Sequence, residues 1–192
     1  MAITQRPSPH YDERPAGETI SLLVIHNISL PAGQFAAKPE HSFVDDLFMG
    51  TLDCHAHPSF ADLTGVRVSA HCVIWRDGGI FQYVPFAKRA WHAGVSQFAG
   101  RERCNDFSIG IELEGTDNLP YTEQQYQSLT QLTLYLLQQY PAITPQRITG
   151  HCDIAPGRKT DPGNAFDWVR YREAIHSAMN TGIKSATKEF SA

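Results

Sequence analysis

The most constraining feature of this chain is a short run, Ile20-Ser21-Leu22-Leu23-Val24-Ile25, that is apolar on consecutive positions and stops at His26. Neighbouring side chains of a strand point to opposite sides of its sheet, so a strand apolar on successive residues needs cover on both faces. Such a segment belongs inside a covered sheet, with an imidazole at its end.

A second strand has the opposite pattern. Residues 107–114 alternate strictly, placing Phe107, Ile109, Ile111 and Leu113 on one face and Ser108, Gly110, Glu112 and Glu114 on the other. Residues 68–75 and 80–85 flank Arg76-Asp77-Gly78-Gly79, a tight-turn sequence that predicts a β-hairpin. A short helix is expected over 42–49. A longer one starts at the capping box Thr122/Gln125 and carries Tyr126, Leu129, Thr133, Leu136, Leu137 and Tyr140 up to Pro141. A third is expected over 165–179, with Asn164 as N-cap and Phe166, Val169, Ile175 and Met179 buried. Strands interleaved with helices, without internal repeats, predict an α/β fold with a central mixed β-sheet and packed helices. A length of 192 residues suits one domain. Residues 1–18 read as an extended N-terminal arm, 19–180 as the domain and 181–192 as a flexible tail.

Lys and Arg number 16 against 20 Asp and Glu, and this net charge of -4 argues against nucleic acid as a partner. No apolar stretch is long enough to span a membrane. The start, Met-Ala-Ile-Thr-Gln-Arg-Pro-Ser, lacks a signal-peptide core, so a cytoplasmic location is expected. Cys54, Cys72, Cys104 and Cys152 include no C-x-x-C pair and read as free thiols. No obligate protein partner is predicted.

Nine histidines direct attention to metal ligation or acid–base chemistry. Gly150-His151-Cys152-Asp153-Ile154-Ala155-Pro156-Gly157-Arg158-Lys159-Thr160-Asp161-Pro162-Gly163 gathers an imidazole, an ammonium and carboxylates in what reads as an irregular loop. A catalytic zinc takes three N or O ligands and keeps one position open, a set that His26, His151 and Asp161 are able to supply. The competing reading makes His26 a core histidine and Asp161 a turn cap. Glu112 offers a general base, with side-chain-free Gly110 leaving room for substrate beside it, although Glu114 shares that face. Lys159 is a candidate oxyanion stabiliser. Two rival constellations are a metal site from His55 and His57 joined by His71, and a Cys152/His nucleophile.

Five motifs go further: Ser21-Leu22-Leu23-Val24-Ile25-His26-Asn27, Arg67-Val68-Ser69-Ala70-His71, Arg89-Ala90-Trp91-His92-Ala93-Gly94, residues 105–115, and the 150–163 segment. In this order they resemble the zinc-dependent N-acetylmuramoyl-L-alanine amidases, and more narrowly their cytoplasmic AmpD-type branch acting on 1,6-anhydro-muropeptides. The resemblance implies the fold shared with phage amidases and peptidoglycan recognition proteins. It implies one zinc per chain on His26, His151 and Asp161, with Glu112 rather than Glu114 as acid/base and Lys159 on the oxyanion. The implied reaction, in peptidoglycan recycling, cleaves the amide between the lactyl group of 1,6-anhydro-N-acetylmuramic acid and L-alanine of the stem peptide. Arg67, Arg101 and Arg103 are candidates for the peptide carboxylates, and Asn27 and Trp91 for the sugar. Two alternatives are a non-catalytic peptidoglycan-binding module and an exported murein-remodelling amidase.

Overall fold

The computed structural model describes residues 2–35 and 37–181. Its strands are β1 (Ile3–Gln5), β2 (Tyr11–Asp12), β3 (Leu22–Ile28), β4 (Cys72–Ile74), β5 (Ile80–Gln82), β6 (Arg89–Ala90), β7 (Gln97–Phe98), β8 (Arg101–Glu102), β9 (Ser108–Glu114) and β10 (Ile148–Gly150). Its α-helices are α1 (Phe43–Met49), α2 (Glu123–Gln139), α3 (His151–Ile154) and α4 (Trp168–Asn180). Six strands form one mixed sheet in the order β1-β5-β4-β9-β3-β10, where β4, β9, β3 and β10 run parallel and β5 pairs antiparallel with β4.

The doubly apolar run is the inner strand β3, and its two faces meet different cover. Leu23 and Ile25 join Ile109, Ile111 and Leu113 of β9 beneath Leu129, Leu132 and Leu136 of α2 and Tyr171 and Ile175 of α4. Leu22 and Val24 turn the other way, against Ala93, Cys104, Phe107 and Ile154. Burial of each such Leu or Ile is worth about 1.5–3 kcal/mol, so both faces are held strongly. The register sets Leu22 beside Ser108, Val24 beside Gly110 and His26 beside Glu112. The long helices therefore cover one face, and the candidate chemical groups stand on the other.

Several expectations are corrected in detail. His26 is the fifth of seven residues of β3, because Asn27 and Ile28 still pair with Leu113 and Glu114. Phe107 caps the 3-10 turn Cys104–Asp106 with non-extended backbone, so it packs with Leu22 and Val24 rather than with Ile109. The hairpin forms with shorter strands, and Asp77 Oδ1 accepts from the Gly79 N–H at 2.8 Å in its turn. The N-terminal arm is extended as expected but contributes elements: β1 pairs with β5, and β2 pairs with β6. Arg14 pins it, donating to the carbonyl oxygens of Phe86, Asn105, Asp106 and Ser108 at 2.8–3.1 Å.

The short helix and the capped α2 form as the sequence predicts, Ser42 capping the first and the Thr122/Gln125 box the second. The last helix starts later than expected. The Ala165 N–H donates to the Asp117 carbonyl at 2.8 Å, which holds 163–165 off the helix, and Asp167 replaces Asn164 as N-cap by accepting from the Arg170 N–H. Tyr171 and Ile175 fill the buried face, leaving Val169 and Met179 67% and 51% exposed. The expected tail from residue 182 onward lies outside the described residues.

Candidate metal centre and active site

Three elements bring the proposed donors together. His26 comes from β3, while His151 is the first residue of α3, immediately after β10, which pairs with β3. The 150–163 segment was expected to be irregular throughout, but Gly150 ends a strand and His151–Ile154 makes a helical turn because Asp153 Oδ2 accepts from the Gly150 N–H and the Thr149 hydroxyl. The loop then folds back, and the Cys152 N–H donates to the Asp161 carbonyl at 2.9 Å. His26 Nδ1, His151 Nδ1 and Asp161 Oδ2 end at 3.0 Å from one another, a metal-competent cluster of donor atoms.

That triangle fits a cation. A point about 2 Å from all three atoms lies just above its plane, the length of a Zn–N or Zn–O bond. His151 Nε2 faces the Ala93 carbonyl oxygen at 3.2 Å, which only accepts, so the ring carries its proton there and presents a lone pair at Nδ1. That lone pair faces a carboxylate oxygen and a second imidazole nitrogen, a repulsive arrangement until a positive charge sits between them. Burial lowers His26 to about 4 despite its contact with Asp161, so a proton does not fill the role at neutral pH.

Glu112 and Glu114, indistinguishable by periodicity, separate in the fold. Glu114 accepts from the Arg76 N–H at 3.2 Å, and its carbonyl accepts from Gln125 Nε2, which ties it to the hairpin turn and α2. Glu112 is 8% exposed, its Oε1 is 4.0 Å from His26 Nδ1, and its buried Oε2 has no hydrogen-bond partner among the described residues. Burial, then the charge of Asp161, pushes its carboxyl well above the usual range, while Lys159 pulls it down. A carboxyl with a raised pKa and a free oxygen is suited to taking and returning a proton. Exposed Lys159 is near enough to act electrostatically on both Glu112 and His26.

One expectation fails here for a specific reason. Gly110 does not leave room for substrate, because a Cβ at that position would lie 2.4 Å from ring atoms of His92, which fills the space. His92 Nδ1 is 2.9 Å from His26 Nε2, and its Nε2 is 3.1 Å from Ser108 Oγ. Sequence reasoning assigned His92 no role; the glycine in β9 was the available signal, and it was read as empty space.

The rival constellations do not assemble. His57 Nδ1 contacts the Ser59 hydroxyl, whereas His71 is buried with Nδ1 accepting from the Gly110 N–H and Nε2 facing the Lys88 carbonyl. Burial raises the Cys152 thiol, with Asp153 and Asp161 adding to it, which disfavours a thiolate nucleophile.

The candidate substrate residues are spread over neighbouring segments. Asn27 Nδ2 donates to Asp117 Oδ1 at 2.8 Å. The Trp91 indole N–H donates to Asp12 Oδ1 at 3.1 Å, and the ring stacks on His10. Arg67 lines a small cavity of about 160 Å³ with His10 and Leu52. Arg103 pairs with Asp106 at 3.0 Å, and Arg101 pairs with Glu18 and lies over the Phe107 ring.

Known proteins resemble this chain in sequence and in fold. Residues 16–164 match the sequence model of the family described as N-acetylmuramoyl-L-alanine amidase. The chain is 65% identical over 169 residues to 1,6-anhydro-N-acetylmuramyl-L-alanine amidase AmpD of Escherichia coli K12, covering 88% of this chain and 90% of that one. A crystal structure of a selenomethionine AmpD derivative superposes with a TM-score of 0.85 at 62% identity, over 90% of this chain and 94% of the other. AmpDh3 of Pseudomonas aeruginosa, solved in complex with anhydromuramic pentapeptide, aligns with a TM-score of 0.60 at 33% identity, over 83% of this chain and 61% of that one. Sequence and fold agree, and the chain belongs to the N-acetylmuramoyl-L-alanine amidase family.

Proposed function

We propose that this protein hydrolyses the amide joining the lactyl group of 1,6-anhydro-N-acetylmuramic acid to L-alanine of the stem peptide, as an enzyme of peptidoglycan recycling. The observation that carries the reading is the triangle of His26, His151 and Asp161 donors beside the unpartnered oxygen of Glu112. Identity to AmpD over most of both chains supports the anhydro-sugar substrate, as does the muropeptide bound by AmpDh3. All four cysteines are free, which suits a reducing, cytoplasmic setting.

The chemistry assigns each group one task. One zinc ion held by His26, His151 and Asp161 would supply Lewis acidity, polarising the scissile carbonyl and acidifying water. Glu112 takes the proton of the attacking water at its free carboxylate oxygen and returns it to the departing amine of L-alanine. Lys159 balances the negative charge that develops on the carbonyl oxygen. Arg67, Arg103, Asn27 and Trp91 are the proposed substrate contacts, the arginines for stem-peptide carboxylates and the other two for the sugar.

The test is release of free stem peptide from a purified anhydro-muropeptide by wild-type protein and Glu112→Gln. The variant should keep its zinc and lose at least about 100-fold in kcat. Wild-type turnover by Glu112→Gln removes the assigned base, and no turnover by zinc-loaded wild type removes the function.

A further inference from the structure

The hydrolysis above uses no side chain from the His92-Ala93 dipeptide, yet the sheet is cut away to admit it. Gly110 has ordinary strand backbone and needs no left-handed freedom. What it needs is the absence of a Cβ, which would sit 2.4 Å from His92 Cγ and Nδ1. The dipeptide is clamped from two sides. Asn105 Oδ1 accepts from the backbone N–H groups of both His92 and Ala93, at 3.1 and 2.8 Å, and the Arg158 guanidinium donates to the Ala93 and Val95 carbonyls at 2.7 Å each.

From that clamp, two acceptor positions reach the far nitrogens of the two imidazole donors. The Ala93 carbonyl faces His151 Nε2 at 3.2 Å, and His92 Nδ1 faces His26 Nε2 at 2.9 Å, with the His26 and His92 rings nearly perpendicular. Two neutral imidazoles that share a hydrogen bond take opposite roles, one giving N–H and the other a lone pair. The remaining nitrogen of His92 lies 3.1 Å from Ser108 Oγ, an oxygen able to accept its proton. The opposite arrangement would put hydrogen on His26 Nδ1, in the middle of the donor triangle.

We propose that His92 is a positioning residue: its Nδ1 accepts the Nε2–H of His26, passing the constraint back to Ser108, so that His26 presents a bare Nδ1 lone pair to the metal. One rigid dipeptide then fixes the tautomer and ring orientation of both imidazole ligands, through a side chain for His26 and a backbone carbonyl for His151. Partners of this kind typically govern metal affinity about 10- to 100-fold. The inference rests on the metal-centre reading above.

The test measures zinc affinity by chelator competition in wild type, His92→Leu and His92→Asn, together with the ¹⁵N signature of the His26 tautomer in metal-free protein. His92→Leu removes the acceptor, whereas Asn places an amide oxygen near the site of Nδ1. The expected results are about 10- to 100-fold weaker zinc binding in His92→Leu, substantial recovery in His92→Asn, and a single Nε2–H tautomer of His26 in wild type. Unchanged affinity in His92→Leu, equal losses in both variants, or a wild-type His26 protonated at Nδ1 overturns the proposal. If His92→Leu does not fold, Ser108→Ala decides: a several-fold loss of zinc affinity supports the relay and no loss refutes it. Failure of wild type to bind zinc at all would instead refute the metal centre.

Discussion

Acidifying the metal-free Glu112→Gln variant from pH 7 to pH 5 should remove several kcal/mol of stability through buried histidines. Burial lowers His26 to about 4 and His71 to about 3, and lowers His92 well below the ordinary value near 6.5. A folded-state pKa below the unfolded one means that the unfolded chain binds more protons between these values, so stability falls as pH drops through that window. At pH 5, about 1.5 units below the unfolded value, His26 and His71 each cost about 2 kcal/mol, about 4 together, and His92 adds in the same direction. Glu112 is replaced because its raised carboxyl works the other way: it takes up a proton in the folded state as pH falls through this window and would offset the loss. With a urea slope of about 2 kcal/mol/M, the unfolding midpoint should fall by about 2 M or more. Urea titrations in chelator at pH 7, 6 and 5 measure it. Adding His71→Gln should lower stability at pH 7, through the lost ring bonds to Gly110 and Lys88, yet the midpoint should then fall about 1 M less over the same range. A midpoint that holds from pH 7 to pH 5, or an unchanged pH slope in His71→Gln, would refute the claim that these rings are buried and neutral.

Gly163→Ala tests the loop that carries Asp161. Gly163 has φ +77°, and a Cβ there would lie 2.1 Å from Asp117 Cα, a backbone atom with nowhere to go. The variant should lose about 3 kcal/mol or more in denaturant titrations and bind zinc more weakly; wild-type values for both would contradict the packing described. Lys159→Met keeps the aliphatic stem and removes the charge, so kcat should drop by about 10²–10³ with zinc stoichiometry preserved. Steady-state kinetics with an unchanged kcat would strip Lys159 of its role.

How much of this was legible in the sequence depended on where periodicity operates. Period-two patterning placed Glu112 on the polar face of its strand, and the doubly apolar run marked β3 as an inner strand, because side-chain direction in a strand is fixed locally. The adjacency of His26 and Glu112 is a matter of parallel register, which no local pattern encodes. Gly110 shows the limit plainly: a missing side chain looks the same in sequence whether the space holds substrate or His92. The Ala93 carbonyl is invisible for a related reason, being backbone that any residue would supply. Strands β1 and β2, three and two residues long, are too short to show alternation, so the sequence shows an extended arm without elements. The start of α4 was misplaced because a tertiary bond from Ala165 to Asp117 competes with helix formation.

Anomalous diffraction at the zinc absorption edge, from crystals grown with zinc, locates the metal directly. One strong peak per chain is expected, about 2 Å from His26 Nδ1, His151 Nδ1 and Asp161 Oδ2 together. A peak held by other side chains, or no peak at that triangle at full zinc occupancy in solution, would contradict it.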